Sequence, residues 1–316
     1  MRHHPAPDPR QASEEHPRMN MAIVNNIYYC EIANVGDQLN RWLWHRVYPS
    51  MDWLGDRLFL GVGTLLNNRV PLGIGKVVLG AGCGYRPSPD IHRDHWTIAA
   101  VRGPLTAQQL GLDPDHAVSD AAILTADHFP THSIPKQHKR SVIFQHHSYT
   151  YWDWTDFLES QGIHVIDPAW DVERVLHDIA ASETVAAEAM HGAILADTLR
   201  VPWVPFKMYP QVYDFKWHDW AASLNLTYRP IEFNPLFRDT IGHPYQALNR
   251  LHRIPGTGSI RNHFRRRAQK QLQNAFLEGL RNAPSVLSQD AVFVDRLGTM
   301  RDRADQLSRP SCRAAA

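Results

Sequence analysis

The chain has 316 residues, 43% of them hydrophobic and 21% charged, with a formal net charge of +1. This is the composition of a folded protein of about two domains, and the near-neutral balance excludes a whole-molecule field for nucleic acid. The cysteines, Cys30, Cys83 and Cys312, form no CxxC spacing, which argues against a disulfide framework and a zinc site and for a reducing compartment.

In chain order, residues 1–20 are rich in Pro, His and charge without the apolar core of a signal peptide, and read as a disordered lead-in. No run approaches the roughly 20 apolar residues of a membrane span. The expected location is the cytoplasm, free or peripheral at the cytoplasmic face of the inner membrane. "NNIYYC" (25–30) reads as a strand, and a helix starts at Asp37. "RLFLGVG" (57–63) and "KVVLGAGCG" (76–84) are strands ending in glycine turns. "TIAAVRGPLTAQQLGL" is strand, turn and helix, with Pro104 at the first helical position and Gly111 as the stop. "HAVSDAAIL" (116–124) reads as a further strand and its exit.

A polar, proline-containing stretch (129–139) marks a domain boundary, giving a first domain over 21–132 and a second over 139–233. The pattern then restarts: strand 141–145, the helix "WDWTDFLESQG", strand "IHVIDP", the helix "DVERVLHDIAAS", and, after the stretch "EAMHGAILADTLR", strand "VPWVPF" (201–206). "FKWHDWAASLNL" (215–226) is a last helix. Residues 234–316 read as a basic, helical C-terminal extension with a frayed tail. Its Arg261, Arg265, Arg266, Arg267 and Lys270 suit either a solvated helix packed through Phe264, Leu272, Phe276 and Leu280, or a surface for anionic lipid. Strands alternating with helices give the fold class α/β, as two Rossmann-like domains facing a cleft plus that extension.

The unusual residues collect at strand exits, where open α/β sheets bind ligands. Gly36–Asp37 opens a helix. Glycine turns at Gly61, Gly63, Gly80, Gly82 and Gly84 offer backbone amides to phosphate or serve as tight turns. Arg102 sits between a strand and a helix start, where its fork grips an anion or forms an ion pair. His191, just before Gly192, is a core histidine or a group at a strand exit. Trp42, Trp44, Trp152, Trp154, Trp217 and Trp220 recur in close pairs, for domain packing or for stacking on a sugar. No Walker, HExxH or GxSxG motif occurs, and no metal spacing, so no metal is expected.

Six segments in order, "NVGDQLN", "FLGVGTLL", "VVLGAGCGY", "AAVRGPLTAQQL", "VSDAAIL" and "AMHGAILADTLRVP", resemble the polysaccharide pyruvyl transferase family, in its bacterial succinoglycan and xanthan flavour. The resemblance implies a fold like the two-domain GT-B glycosyltransferases. It implies transfer of the pyruvyl carbon of phosphoenolpyruvate to two hydroxyls of one sugar as a cyclic ketal, with no further cofactor. Its basic cluster falls on Arg102, His191 and Lys207. Family members often carry Ser-Arg or Ser-Leu before the His-Gly, where this chain has Glu188, Ala189 and Met190. On this reading His191 is the general acid, and Arg102 and Lys207 hold the donor anions with help from the amides of Gly63, Gly82 and Gly192. Asp37 or His146 deprotonates a sugar hydroxyl. The expected partners are phosphoenolpyruvate and a lipid-linked oligosaccharide or polysaccharide, with no nucleic acid. A glycosyltransferase using a nucleotide sugar and a non-enzymatic carbohydrate-binding protein are the rival readings.

Overall fold

A computed structural model describes residues 21–146, 148, 154–208, 212–233 and 258–309, with the side chains at 132, 258–265 and 268 outside the description. The lead-in over 1–20, Trp152, Cys312 and the end of the tail lie outside these residues. The fold is mixed α/β, built on two five-stranded sheets that belong to two compact units.

The first unit's sheet runs in simple sequence, β1 (Met21–Val24), β2 (Ile27–Cys30), β3 (Leu58–Leu60), β4 (Lys76–Leu79) and β5 (Trp96–Ala100). β1 is antiparallel to β2, and the rest are parallel. The β1–β2 hairpin was not evident in the sequence; Asn25 and Asn26 turn it with φ of 50° and 61°, the left-handed pair a two-residue hairpin requires. Helix α1 (Val35–Val47) is capped by Asn34, whose side chain accepts from Gly36 N–H. It places Trp44 on the face of β3 that carries Phe59, ring centroids 4.6 Å apart, with Tyr48 and Trp53 alongside. Leu58 and Leu60 point to the opposite face and pack with Leu65, Leu66, Val70 and Val78, as alternation along a strand dictates.

After β5, helix α2 (Pro104–Gln109) ends before Gly111, whose φ is +65°. The strand expected over 116–124 is not one. It holds a single bridge, Val101 to Ala117, and then a 3-10 turn over Ala121–Asp127 capped by the buried Asp120. Asp120 accepting from the amide of Ala122 ends the extended run, the usual way an aspartate diverts backbone from a ladder.

The second unit's sheet contains β6 (Ser141–Ile143), β7 (His164–Ile166), β8 (Val185–Ala187), β9 (Trp203–Lys207) and β10 (Ile231–Glu232), in the order β10-β9-β8-β6-β7 and parallel throughout. Helices α3 (Thr155–Ser160), α4 (Val172–Ala180) and α5 (Met190–Thr198) make the crossovers. Strand order reverses between β6 and β8, which creates a topological switch point at their carboxyl ends. The first sheet has no such reversal, so the expectation of two alike Rossmann-like halves is corrected: loops rather than helices join β3 to β4 and β4 to β5.

The expected domain limits also differ. Helix α6 (Asp214–Ser223), read as the last helix of the second domain, belongs to the first unit, because Trp217, Asp219 and Trp220 are buried there. The basic helix α7 (Gly258–Asn282) belongs to the second unit, where Phe276 and Leu280 pack with Phe144, Trp154 and Phe206. The tail is not frayed up to Ser308: helix α8 (Asp290–Ser308) returns to the first unit and buries Met300, Ala304 and Leu307, and Tyr48 Oη donates to the carbonyl of Ala304 at 3.0 Å. The described residues 258–309 are therefore divided between the two units. No helix of the described residues is long and apolar enough to cross a membrane.

The junction before α8 is fixed by Asp197, 1% exposed, which accepts from Trp203 Nε1 at 3.0 Å and from the amide and hydroxyl of Ser288. Removing that acceptor leaves buried donors unpaired, each costing about 1–3 kcal/mol. Asp197→Ala should lower the stability of the second unit by about 3 kcal/mol in a urea titration, whereas an exposed change such as Glu278→Ala should leave it unmoved.

Candidate active site

In the second unit the parallel sheet brings several expected residues to one edge. The register aligns Ile143 with Ala187 and Ala187 with Pro205. Residues just beyond these points therefore gather at the carboxyl ends of β6, β8 and β9: His146, His191 and Lys207, all half-buried. His146 opens the helical turn after β6, which Gln145 caps by accepting from the amide of Ser148 at 3.3 Å. His191 is the second residue of α5, and its Nε2 is shielded from solvent. The first turn of α5 adds partial positive charge at this edge. Lys207 closes β9, its carbonyl accepting from Phe233 N–H at 2.9 Å. Gly192 has a packing reason of its own: a Cβ there would lie 2.4 Å from Ile143 Cγ2.

At the same edge stands a residue that sequence reasoning did not select. Glu188, 1% exposed, follows the apolar β8 directly. Its Oε1 accepts from the amide of Met208 at 2.7 Å and its Oε2 from the amide of Gln145 at 3.2 Å, while its own amide donates to Ile143. One carboxylate thus stitches the exits of β6 and β9 to that of β8. The available signal was an acidic residue ending an apolar strand, a pattern that needs an internal partner.

In the first unit, Asp37, Gly63, Gly82 and Arg102 lie at the carboxyl ends of β2 to β5. Asp37 is half-buried in the first turn of α1, its carboxylate accepting from Asn34 Nδ2 at 3.2 Å. Burial, and then the charge of Asp37, push the Cys30 thiol up to about 12. Several amides of the glycine turns are spent internally. Val62 N–H donates to Asn40 Oδ1, Gly80 N–H to Ala100, Gly82 N–H to the carbonyl of Gly63 at 2.9 Å, and Cys83 N–H to Thr106 Oγ1. The glycines clear space for side chains: a Cβ at Gly61 would lie 2.1 Å from the Trp44 ring, and at Gly82 2.2 Å from the Arg102 guanidinium.

Arg102 corrects the expectation of an anion fork. It is 0% exposed, and its Nε donates to Asp219 Oδ2 at 3.0 Å, Nη1 to Thr64 Oγ1 at 3.1 Å and Nη2 to the carbonyl of Cys83 at 2.7 Å. Asp219 also accepts from the amide and hydroxyl of Thr106, the third residue of α2. It therefore caps α2, a task that Gly103 at the N-cap has no side chain to perform. Gly103 is required because a Cβ there would stand 2.0 Å from the backbone oxygen of Asp219. The Arg-Gly-Pro turn is thus the cradle for α6, and Arg102 is a positioning residue in this arrangement. Among the described residues no group of three or more His, Cys, Asp or Glu is placed to hold a metal ion.

Of the two readings of the Trp pairs, packing holds for the described ones. Trp44, Trp154, Trp217 and Trp220 are at most 2% exposed and fill cores, and the half-buried Trp42 is covered by Arg46 at 4.1 Å.

The polysaccharide pyruvyl transferase family model matches residues 16–207. The succinoglycan biosynthesis protein ExoV of Rhizobium meliloti (strain 1021) is 39% identical over 208 residues, covering 64% of this chain. The match spans 66% of that protein, just short of two thirds of its length. No solved structure matches the chain.

Two outcomes follow from the buried carboxylates. Removing Arg102 alone strands a buried charge at a cost of about 3–5 kcal/mol. Replacing the pair, Arg102→Met with Asp219→Leu, should cost less than the two single changes summed, as a double-variant denaturation cycle reads. For Glu188, the amides of Gln145 and Met208 should resist hydrogen exchange in the native protein and lose about tenfold or more of that protection in Glu188→Ala, the equivalent of one lost hydrogen bond.

Proposed function

The chain belongs to the polysaccharide pyruvyl transferase family, and on that premise we propose that it moves the pyruvyl group of phosphoenolpyruvate onto two hydroxyls of a sugar in an exopolysaccharide repeat unit. The observation that carries the chemistry is the gathering of His146, His191 and Lys207 at the switch-point edge of the second sheet. Phosphoenolpyruvate presents a carboxylate and a phosphate. Lys207 and the first turn of α5 supply positive charge for them.

Chemistry begins with a proton delivered to C3 of the enol, which leaves C2 electrophilic. One sugar hydroxyl adds to C2 and gives up its proton. Phosphate departs, taking a proton, and the second hydroxyl closes on C2. The products are a carboxyethylidene ketal and inorganic phosphate; the two hydroxyl protons balance the methyl group and the released phosphate. His191 is the proton donor, a role for which an imidazole is suited near neutral pH. His146 at the same edge is the proposed acceptor of the hydroxyl proton, and Asp37 is the other candidate. The acceptor is proposed to be lipid-linked and met at the cytoplasmic face of the membrane, with exposed Arg266, Arg267 and Lys270 of α7 facing anionic lipid.

The test follows phosphate release from phosphoenolpyruvate together with the gain of a pyruvylidene group on the glycan. His191→Ala should reduce turnover by about 10²–10⁴-fold while donor binding persists. His191→Gln keeps hydrogen-bonding capacity without a proton to give, so it should be more stable than Ala and nearly as inactive. An active, stable His191→Gln protein would remove His191 as the proton donor. Nucleotide diphosphate release from a sugar donor would replace the whole reading with a glycosyltransferase.

A further inference from the structure

The amino-terminal edge of the second sheet carries a cluster of imidazoles that none of the proposed chemistry uses. His138 lies three residues before β6, and His164 is the first residue of β7. Their rings stack almost face to face, with centroids 4.0 Å apart at 9°. His164 Nε2 donates to Asp178 Oδ2 at 3.0 Å, and His177 Nδ1 to Asp178 Oδ1 at 3.1 Å. Trp170, 6.4 Å from His164, carries the Arg174 guanidinium 3.4 Å from its ring centre. His138, His164 and Asp178 are half-buried, and His177 is exposed.

The same stretch is tied to the end of α4. Gln137 N–H and His138 N–H both donate to the carbonyl of Ala181, at 2.7 and 3.1 Å, and the His138 carbonyl accepts from Glu183 N–H at 2.8 Å. Lys136 Nζ donates to the carbonyls of Ala180 and Ser182, at a helix end where positive charge is favoured. Here the chain that arrives from the first unit joins the second sheet.

Charge is shared unevenly in this cluster. A proton on His164 stays paired with Asp178, whereas a proton on His138 meets the face of a second imidazole. The other charged groups of these segments are Lys136, Lys139 and Arg140 beside His138 in sequence, His177 on α4, and Glu183, whose carboxylate acts on Lys136. Burial, then the charge of His164, holds the His138 imidazole below its usual range, against the pull of Asp178. Burial works to raise Asp178, but hydrogen bonds from His164 and His177 outweigh it and hold that carboxyl below the usual carboxylate range. A histidine held low stabilises the fold above its ordinary pKa, and this contribution is lost as pH falls from there. The contribution of Asp178 is lost only in the carboxylate range, so the two windows are separate.

We propose that the His138–His164 stack is an acid-sensitive latch, which holds residues 136–138 on the end of α4 while His138 is neutral and releases them when it is protonated.

Amide hydrogen exchange on the full chain, corrected for intrinsic rates, tests the latch between about pH 7.5 and about pH 5.5, either side of the ordinary imidazole value. Protection of the Gln137, His138 and Glu183 amides should fall severalfold across that range, while that of Val142 and Ile143 in β6 is retained. His138→Phe keeps a flat ring on His164 with no proton to gain, so its protection should stay level. Level protection in the native chain, an equal fall in His138→Phe, or a fall that extends equally to β6 would each overturn the latch. NMR titration of the imidazoles reads the coupling independently of any change in folding. His138 should titrate below the ordinary histidine value in the native chain and rise in His164→Phe, which removes the neighbouring charge. A native His138 that titrates at the ordinary value, or one that His164→Phe leaves unmoved, would also overturn it.

Discussion

Parallel strands release the chain at one edge, and the backbone groups freed there must find partners away from water. This constraint organises both units. In the first, Asn40 satisfies the turn after β3 and binds Trp44 Nε1 at 3.0 Å, while Arg102, Thr106 and Asp219 satisfy the turns after β4 and β5. In the second, the single carboxylate of Glu188 serves the exits of β6 and β9. These polar groups are almost fully buried, so the exits are rigid where ligands of α/β proteins bind. Preorganisation of that kind lets charge act on a substrate without first rearranging.

The same constraint separates residues that hold the edge from residues that face it. Arg102, Glu188 and Asp219 are spent inward, while His146, His191 and Lys207 stay half-buried at the rim. Within each unit the buried charges are thus spent on holding strand exits, and the groups of the proposed donor site are those at the rim of the second sheet. Cys83 belongs to the inward group. Burial outweighs the hydrogen bond from Ser88 and pushes its thiol up to about 11, so it stays protonated at neutral pH and takes no nucleophilic part.

Much of this was legible in the sequence. Strand and helix alternation is a local signal, and the Pro104 start and the Gly111 stop behave as their chemistry dictates. That His191 stands at a strand exit followed from the family resemblance, and β8 with the start of α5 lies there. What failed depended on distant partners. Arg102 meets Asp219 across 117 positions of chain, and no local pattern reveals that its fork is already filled. The flanking Trp217 and Trp220 were the only hint that Asp219 points inward. Likewise α8 was hidden because its apolar positions are widely spaced among charges, and its helix is secured by contacts with Tyr48, Ser223 and Asp127 far upstream. Glycine turns are ambiguous for a physical reason: a missing Cβ accommodates a neighbouring ring or guanidinium, as at Gly61 and Gly82, as readily as it bares an amide.

The central proposal is that transfer delivers a solvent-derived proton to C3 of phosphoenolpyruvate and closes two sugar hydroxyls on C2. Reaction in deuterated water, followed by mass and NMR analysis of the glycan, tests it most directly. The account predicts a ketal methyl group carrying one solvent deuterium, formed with an equal amount of inorganic phosphate. A product that keeps an unlabelled vinyl group, or a glycan extended by a sugar with no pyruvyl carbon, would contradict it.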